Sequence, residues 1–377
     1  MSSWERGYGD FVFRPDLATL RRCSWLEGTV LVLADLEWHD GSPVTASPRQ
    51  ILKRQLARLD ERGWRAAIGS ELEFILFRDT YQDARRKGYR GLALANDYNV
   101  DYSILGTTMV EDVIRPIRLA MRDAGLVVED SKGECNLGQH EVNFRYKDAL
   151  AMADDHAFYK NAAKEIAFQK GTSITFMAKF DEREGNSCHI HCSLWDGGGS
   201  LFPAADGGRT PLFESFIQGQ IARSRELALL FAPNVNSYKR YAVGSFAPTT
   251  LAWGTDNRTC GFRIVGHGGG MRLESRFAGG DVNPYLAFAA MIAAGLDGID
   301  RGLALDPEMT GNAYASDRQR LPSSLYEAIA LWESSAFARE AFGEDVHAHY
   351  LNAAVQEQRQ FDAAVTDWEL RRSFERF

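Results

Sequence analysis

The stretch MRLESRFAGGDVNPYLAFAA, residues 271–290, carries the pattern that decides the fold. Side chains alternate between the two faces of an extended strand, so Arg272, Glu274 and Arg276 share one face. Three full charges on one strand face are unusual in a chain that otherwise has a globular composition. We expect this face to line a polar site. The very apolar segment that follows from Pro284 predicts a helix packed in the core.

Composition is typical of a large, acidic enzyme whose cysteines are reduced. The 377 residues are 45% hydrophobic and 25% charged, and the formal net charge is −8. General nucleic-acid binders are usually basic, so we expect no nucleic-acid partner. No apolar run approaches the ~20 residues that cross a bilayer, and the start, MSSWERGYGDF, lacks the layout of a signal peptide. Five cysteines without a CxxC pair fit a cytoplasmic protein without a membrane partner.

Predicted strands and helices alternate irregularly. β-forming runs predict strands over 28–38, 64–77, 138–146, 174–180 and 188–195. Helical patterns cover 47–63, where Ser47 can cap and Pro48 fits the first turn, and also 111–125, 155–171, 210–233, 284–300 and most of the tail from 323. The strands return to one surface without a regular βαβ alternation, so the predicted fold class is α+β.

Acidic and imidazole side chains recur at one-sided positions of the predicted strands. They are Glu71, Glu73, Glu134, Glu141, His189, His191 and Glu274. Any single pair is more often a solvated strand face or two hydrogen-bonded histidines. The whole set would bury much negative charge, which is costly unless a cation compensates it. Oxygen ligands with few imidazoles and no thiolates suit Mg²⁺ or Mn²⁺ better than zinc.

Several arginines cluster near the opening stretch, in strand and loop rather than helix. They are Arg240, Arg258, Arg263, Arg272 and Arg276. An arginine-rich solvated surface is the alternative interpretation. Guanidinium groups bind phosphates and carboxylates in a bidentate way. Arginines beside divalent metals are typical of phosphoryl transfer from a nucleotide, and the chain has no P-loop motif.

The motifs SELEF, GQHEVNF, CHIHCSLWD, NSYKRY, DNRTCGFRI and RLESRFAGGDVNPYLA occur in this order. Together they resemble the glutamine synthetase family, from about Gly7 to the C terminus. The resemblance implies a partial β-grasp domain over residues 1–46 and a catalytic domain over 47–377, with a curved antiparallel sheet. It also implies a homo-oligomer, a dodecamer of stacked rings, with active sites at subunit interfaces.

The resemblance implies an ATP-dependent reaction with two or three Mg²⁺ or Mn²⁺ ions per site. The γ-carboxylate of glutamate takes the terminal phosphoryl group of ATP, and an amine then displaces phosphate from γ-glutamyl phosphate. Glutamate and the amine are therefore the expected partners, and ATP with the metal ions the expected cofactors.

The resemblance also assigns roles to residues. The metal near the transferred phosphoryl group would be held by Glu73, His189 and Glu274, and the metal near glutamate by Glu71, Glu134 and Glu141. Catalytic roles fall to Arg258, Arg263 and Glu274. The nucleotide would be bound by Tyr146, His191, Ser193, Arg258, Arg263 and Arg272, and the other substrates by Gly185, Arg240, Phe246 and Arg276.

Three departures from the family pattern bear on function. Phe246 stands where glutamine-forming members carry a glutamate that helps to deprotonate ammonium. The loop GSFAP around it resembles the loops of γ-glutamyl-polyamine and γ-glutamyl-monoamine synthetases. The Phe246 ring could form a wall for an amine with a carbon tail, or could merely pack the loop. Glu184 precedes Gly185, where it could give an amine substrate a carboxylate partner. The chain also starts late in the β-grasp domain, which predicts that early strands are missing.

We therefore predict a ligase that joins glutamate to a polyamine or small alkyl amine. Three alternatives stay open: a true glutamine synthetase that uses ammonium, a guanidino kinase with a related catalytic architecture, and a relative that has lost catalysis.

Overall fold

A large sheet and a separate two-stranded sheet contain all the strands that this computed structural model describes, over residues 7–377. The strands are β1 (Val12–Arg22), β2 (Val30–Glu37), β3 (Arg65–Phe77), β4 (Val128–Gly133), β5 (Gln139–Phe144), β6 (Lys147–Asp148), β7 (Ser173–Thr175), β8 (Cys188–Asp196), β9 (Gly199–Ser200), β10 (Trp253–Thr255), β11 (Phe262–Val265) and β12 (Arg272–Ser275).

Strand β3 is the centre of the large sheet, whose order is β10-β11-β12-β8-β3-β5-β4. Strands β6 and β7 also pair with β3, and β9 pairs with β8. The sheet is antiparallel except for the parallel pair β10–β11. The mostly antiparallel sheet is therefore parallel at one edge. The α+β class is confirmed.

The helices lie between and behind these strands. They are α1 (Pro48–Asp60), α2 (Tyr81–Arg86), α3 (Ile104–Thr108), α4 (Glu111–Asp123), α5 (Ala149–Gln169), α6 (Pro211–Arg223), α7 (Ala228–Phe231), α8 (Pro284–Asp300), α9 (Leu325–Ser334), α10 (Ala336–Phe342), α11 (Glu344–Asp362) and α12 (Asp367–Ser373). Among the residues that the structure covers, no helix has both the length and the apolar character that crossing a membrane requires.

Three local predictions were wrong. Helix α1 starts at Pro48 as expected, but the Ser47 side chain makes no capping hydrogen bond. The helix predicted over 210–233 ends at Arg223, because the Ser224 hydroxyl turns back to the carbonyl of Gln220, which distorts a helix. Strand β7 is short because the Asn186 side chain binds carbonyl groups of residues 175 and 177 in place of a neighbouring strand.

Helix α8 is the core helix that its apolar sequence predicts, and it packs closely on α6 and also contacts α1 and α5. The close approach of α6 and α8 depends on Gly219 and Gly298. A Cβ atom on Gly219 would lie 2.1 Å from the carbonyl oxygen of Ala294. The backbones therefore meet where neither helix has a side chain.

The two-stranded sheet is attached to the rest of the chain through a buried arginine. The Arg49 guanidinium contacts both carboxylate oxygens of Asp154 at 3.0 Å, Asp35 at 2.8 Å and Asp16 at 2.7 Å. The Tyr285 hydroxyl donates to Asp154 at 2.6 Å. Strands β1 and β2 are thereby fixed to helices α1, α5 and α8. The domain boundary at residue 46 stays a prediction.

We expect Arg49→Met to lower the free energy of unfolding by about 3 kcal/mol or more, because it leaves buried carboxylates without a counter-ion. The matched control is Arg62→Met, which breaks the more exposed pair of Arg62 and Asp300 and should cost less than about 1 kcal/mol. Denaturant-induced unfolding of both variants measures the difference. Equal losses in the two variants would contradict the anchoring role of Arg49.

Candidate active site

Strand register sorts the acidic residues of β3 between two neighbouring strands. Glu71 and Glu73 point to the same face because they are two residues apart. Glu71 lies opposite His189 of β8, whereas Glu73 lies opposite Glu141 of β5. Glu274 of β12 is opposite His191. Four adjacent strands thus bring their acids and imidazoles to one side of the sheet.

The first group contains Glu71, the two β8 histidines and Glu274. His189 Nδ1 lies 3.3 Å from a Glu71 oxygen and 3.6 Å from a Glu274 oxygen. His191 Nε2 lies 2.9 Å from the other Glu71 oxygen. The second group contains Glu73, Glu134 and Glu141, whose nearest oxygens lie within 4.8 Å of one another.

This grouping corrects the division that the resemblance implied. We expected Glu73 with His189 and Glu274, and Glu71 with Glu134 and Glu141. The structure exchanges Glu71 and Glu73, because β8 and β5 flank opposite edges of β3 and the register places each glutamate against a different neighbour. The metal-binding role of each group stays a prediction.

The two groups have opposite electrostatics. Burial alone would raise the pKa of Glu274, but His189, Arg276 and His191 bring it down to about 2. Burial and the charges of Glu71 and Glu73 together raise the pKa of Glu141 to about 8, although Lys132 opposes the rise. Glu274 is therefore fully ionised at neutral pH, whereas Glu141 still lacks sufficient compensation by positive charge.

The Glu73 group has the chemistry that a divalent cation requires. Oxygen Oε1 of Glu141 is buried and has no hydrogen-bond partner. Glu73 is oriented by the Ser187 backbone N–H at 2.6 Å and by the Gln139 side-chain amide at 3.1 Å. In the other group, burial and repulsion from Arg276 lower the pKa of His189, which keeps its imidazole neutral and able to bind a metal ion. Three converging carboxylates fit Mg²⁺ or Mn²⁺.

Arginine side chains surround Glu274. Arg263 Nη1 donates to it at 2.9 Å, and Arg276 Nη1 makes a short contact with it. Arg240 is buried and donates to the backbone carbonyl of Arg276 at 2.9 Å. The Nε groups of Arg240 and Arg276 have no partner, so both side chains retain donors. Arg258 is exposed and lines the same cavity.

Every predicted site residue lines one of two cavities that share Glu71. The larger cavity, of about 500 Å³, is lined by the carboxylates of both groups and His189, together with Gly185, Arg240, Phe246, Arg258, Arg263 and Arg276. The smaller cavity, of about 330 Å³, is lined by Tyr146, His191, Ser193 and Arg272. Arg272 donates to His191 at 3.2 Å, so the opening stretch faces both cavities.

Phe246 lies at the rim of the larger cavity in an unusual backbone conformation. Its φ angle is +56°, and half of its side chain is exposed. The Phe246 carbonyl accepts a hydrogen bond from Arg276 at 3.2 Å. Left-handed backbone is strained for a bulky residue and is concentrated at functional sites. The loop is thus fixed by a residue of the site itself.

Sequence reasoning missed several residues that shape the larger cavity. Lys132, Asp101, Tyr102, Gln139 and Ser187 all line it. Two of them had a signal in the sequence, since Lys132 lies two residues before Glu134 and Gln139 two before Glu141, on the same strand faces. The signal was not recognised because neither a lysine nor an uncharged amide adds negative charge to a cation site.

Comparison with known proteins agrees with this geometry. The family model for the catalytic domain of glutamine synthetase matches residues 45–373. The chain belongs to the glutamine synthetase family. The solved structures of a GmaS–ADP complex and of GmaS without ligand superpose with TM-scores of 0.88 and 0.89 at 30% identity. The matches cover 97% and 100% of this chain, and 86% and 89% of the GmaS chains.

Two curated relatives in the glutamine synthetase family are named as amine ligases. The gamma-glutamylethanolamide synthetase GlnA4 of Streptomyces coelicolor is 59% identical over the whole chain and 81% of its own length. The glutamate–isopropylamine ligase of a Pseudomonas species is 37% identical, over 98% of this chain and 83% of its own. The glutamine synthetase of Halobacterium salinarum is 32% identical, over 98% and 84%.

Gly185 is a sharp test of how this glutamine synthetase family site is built. A Cβ atom there would lie 2.2 Å from the carbonyl oxygen of Ala178 and 2.8 Å from Cγ of Arg240. We expect Gly185→Ala to displace Arg240 and the Gln139 amide that holds Glu73, since that amide also donates to the carbonyl of Gly185.

Such a displacement should lower kcat/KM for glutamate about a hundredfold, because misplacement of catalytic groups by about 1 Å has effects of this size. Steady-state kinetics with varied glutamate measures the change. The control is Gly197→Ala, where nothing lies within 4 Å of the added Cβ atom. Unchanged kinetics in Gly185→Ala would contradict the tight fit described here.

Proposed function

We propose that the protein is an ATP-dependent ligase that joins the γ-carboxylate of glutamate to a short primary monoamine. Family membership makes it a carbon–nitrogen ligase. The observation that carries the proposal is the convergence of two acidic groups and several guanidiniums on one cavity, whose rim holds Phe246 in place of an acid. That arrangement suits an acyl phosphate intermediate and an amine with a carbon tail.

The nucleotide would enter through the smaller cavity, where Tyr146 and Ser193 would contact adenosine. His191 and Arg272 lie between this cavity and the larger one. A positive guanidinium at that junction suits a polyphosphate chain. The terminal phosphate would then reach the Glu274 group, where Arg263 and Arg258 supply further positive charge.

Enzymes of this family use ATP and divalent metals, and a divalent ion bound here would withdraw charge from the phosphoryl oxygens. Glu73, Glu134 and Glu141 would hold one ion, and Glu71, His189 and Glu274 a second. A third ion per site is part of the same proposal. Mg²⁺ and Mn²⁺ both suit these oxygen-rich sets.

The chain's own residues would position a phosphoryl-transfer step and the acyl-transfer step that follows it. A γ-carboxylate oxygen of glutamate attacks the terminal phosphorus of ATP, and ADP leaves. The amine nitrogen then attacks the carbonyl carbon of the acyl phosphate, phosphate leaves, and the nitrogen loses a proton. Arg240 and Arg276, with Nε donors to spare, would hold the glutamate carboxylates, and the backbone at Gly185 would contact its amino group.

The choice of amine follows from the rim of the cavity. Phe246 offers an apolar face and cannot act as a base or as a counter-ion for ammonium. The names of the two relatives, an ethanolamide synthetase and an isopropylamine ligase, both point to short monoamines. These relatives support an amine ligase over a plain glutamine synthetase and over a guanidino kinase. Among the amines that the sequence left open, we therefore favour small monoamines over polyamines.

The active form would be a homo-oligomer of stacked rings, a dodecamer in which sites lie at subunit interfaces. Two exposed apolar surfaces support this part of the proposal. On the two-stranded sheet Phe13 and Leu17 are more than two-thirds exposed, and beside the larger cavity Ile104 and Leu105 are also exposed. Adjacent subunits that paired these surfaces would close the cavity and bury both.

Phosphate release with ATP, Mn²⁺, glutamate and a panel of amines tests the proposal. The panel contains ethanolamine, isopropylamine, putrescine, spermidine and ammonium. We expect kcat/KM for a short monoamine to exceed that for ammonium at least about tenfold, the effect of one lost charged contact to ammonium. Strong activity with ammonium alone would overturn the proposal in favour of a glutamine synthetase.

Phe246→Glu restores an acid at the rim and should raise the ratio of ammonium to ethanolamine activity about tenfold, because a hydrogen bond to a charged group is worth ~1.5 kcal/mol or more. Phe246→Leu is the control, since it keeps an apolar wall and adds no charge. It should preserve the order of amine preference. An unchanged amine preference in Phe246→Glu would show that Phe246 only packs the loop.

A further inference from the structure

Lys132 is a cation placed inside the Glu73 group. Its ammonium contacts Glu134 and lies 3.5 Å from Glu141 Oε1. The same ammonium stands over the ring of Tyr102, 5.4 Å from the ring centroid. Strand register explains the position, because Lys132 of β4 is directly opposite Glu141 of β5. The contact with the acids is therefore built into the sheet.

The Lys132 side chain is mostly buried, since only 22% of it is exposed to solvent. The group faces several acids at once. Glu141, Glu73 and Glu71 each raise the pKa of Lys132, although burial alone would lower it. Among the described residues of the Glu73 group and its contacts, Lys132 is the cation that touches the carboxylates directly.

Charge balance indicates what this lysine does. When all three carboxylates are ionised they carry three negative charges, and one ammonium leaves two, which a single divalent ion neutralises. Without the ammonium, the same pocket would attract a divalent ion more strongly. A positive charge a few ångströms from the ion repels it, and this repulsion is stronger at a partly buried site than in bulk water. The lysine thus competes with metal for the same oxygens.

We propose that Lys132 is a resident counter-cation of the Glu73–Glu134–Glu141 group, which holds the three carboxylates together without metal and lowers their affinity for divalent ions. This inference rests on the proposed metal-binding role of the three carboxylates. It makes Lys132 a positioning residue. The group can then release and rebind metal without losing its geometry, because the ammonium takes over part of the charge.

The test is a Mn²⁺ titration of the protein, followed by the electron paramagnetic resonance signal of free Mn²⁺. Lys132→Met keeps an unbranched side chain of similar length and removes the charge. We expect the dissociation constant of one class of Mn²⁺ sites to fall about tenfold or more, consistent with a screened unit charge. That class is identified as the one that Glu73→Gln abolishes.

The control variant is Lys53→Met, which removes a partly exposed lysine paired with Asp35 outside both cavities. It should leave both classes of Mn²⁺ sites unchanged. Lys132→Arg keeps a positive charge and should bind Mn²⁺ like the unmodified protein. Lys132→Gln is the second uncharged variant and should reproduce the tightening if Lys132→Met does not fold.

Thermal unfolding gives a second readout that is independent of catalysis. Without metal, Lys132→Met should unfold at a lower temperature, and Mn²⁺ should raise its Tm more than that of the unmodified protein. An unchanged or weaker Mn²⁺ affinity would overturn the inference, and it would not bear on the proposed ligase function, which the amine assay tests separately. If the unmodified protein has no class of Mn²⁺ sites that Glu73→Gln abolishes, the metal assignment itself fails, whatever the amine assay gives.

Discussion

The register of β3 between β5 and β8 is the constraint on which the rest of the site depends. A strand in the middle of a sheet has a neighbour at each edge, and a shift of one residue would turn every side chain to the opposite face. At Glu71 and Glu73 the fixed register sets one acid against an imidazole and the next against another acid. The sheet therefore builds two different acidic groups from two residues that are almost adjacent in sequence.

Concentrated negative charge must be compensated, and the protein does this differently in the Glu274 group and in the Glu73 group. Glu274 is paired within the protein with Arg263 and Arg276, and its pKa stays low despite burial. Among the described residues, Lys132 is the one cation in direct contact with the Glu73 group, and Glu141 keeps a raised pKa. The two groups therefore differ in how far the protein itself compensates their negative charge.

Much of this could be predicted from sequence because alternation along strands is a local property. It identified the shared face of Arg272, Glu274 and Arg276, the helix α8 and the boundaries of β3 to within a residue or two. The partition of Glu71 and Glu73 could not be predicted from alternation, since both lie on one face and only pairing with distant strands separates them. The end of α6 at Arg223 could not be predicted for a similar reason, because a serine at position 224 does not interrupt the hydrophobic periodicity of the segment.

The most direct measurement is an anomalous difference map from crystals grown with MnCl₂ and ADP. We expect one Mn²⁺ peak among Glu73, Glu134 and Glu141, and another among Glu71, His189 and Glu274. ADP should lie in the cavity lined by Tyr146 and Ser193. Manganese found only away from these two groups, or nucleotide bound outside that cavity, would contradict this expectation.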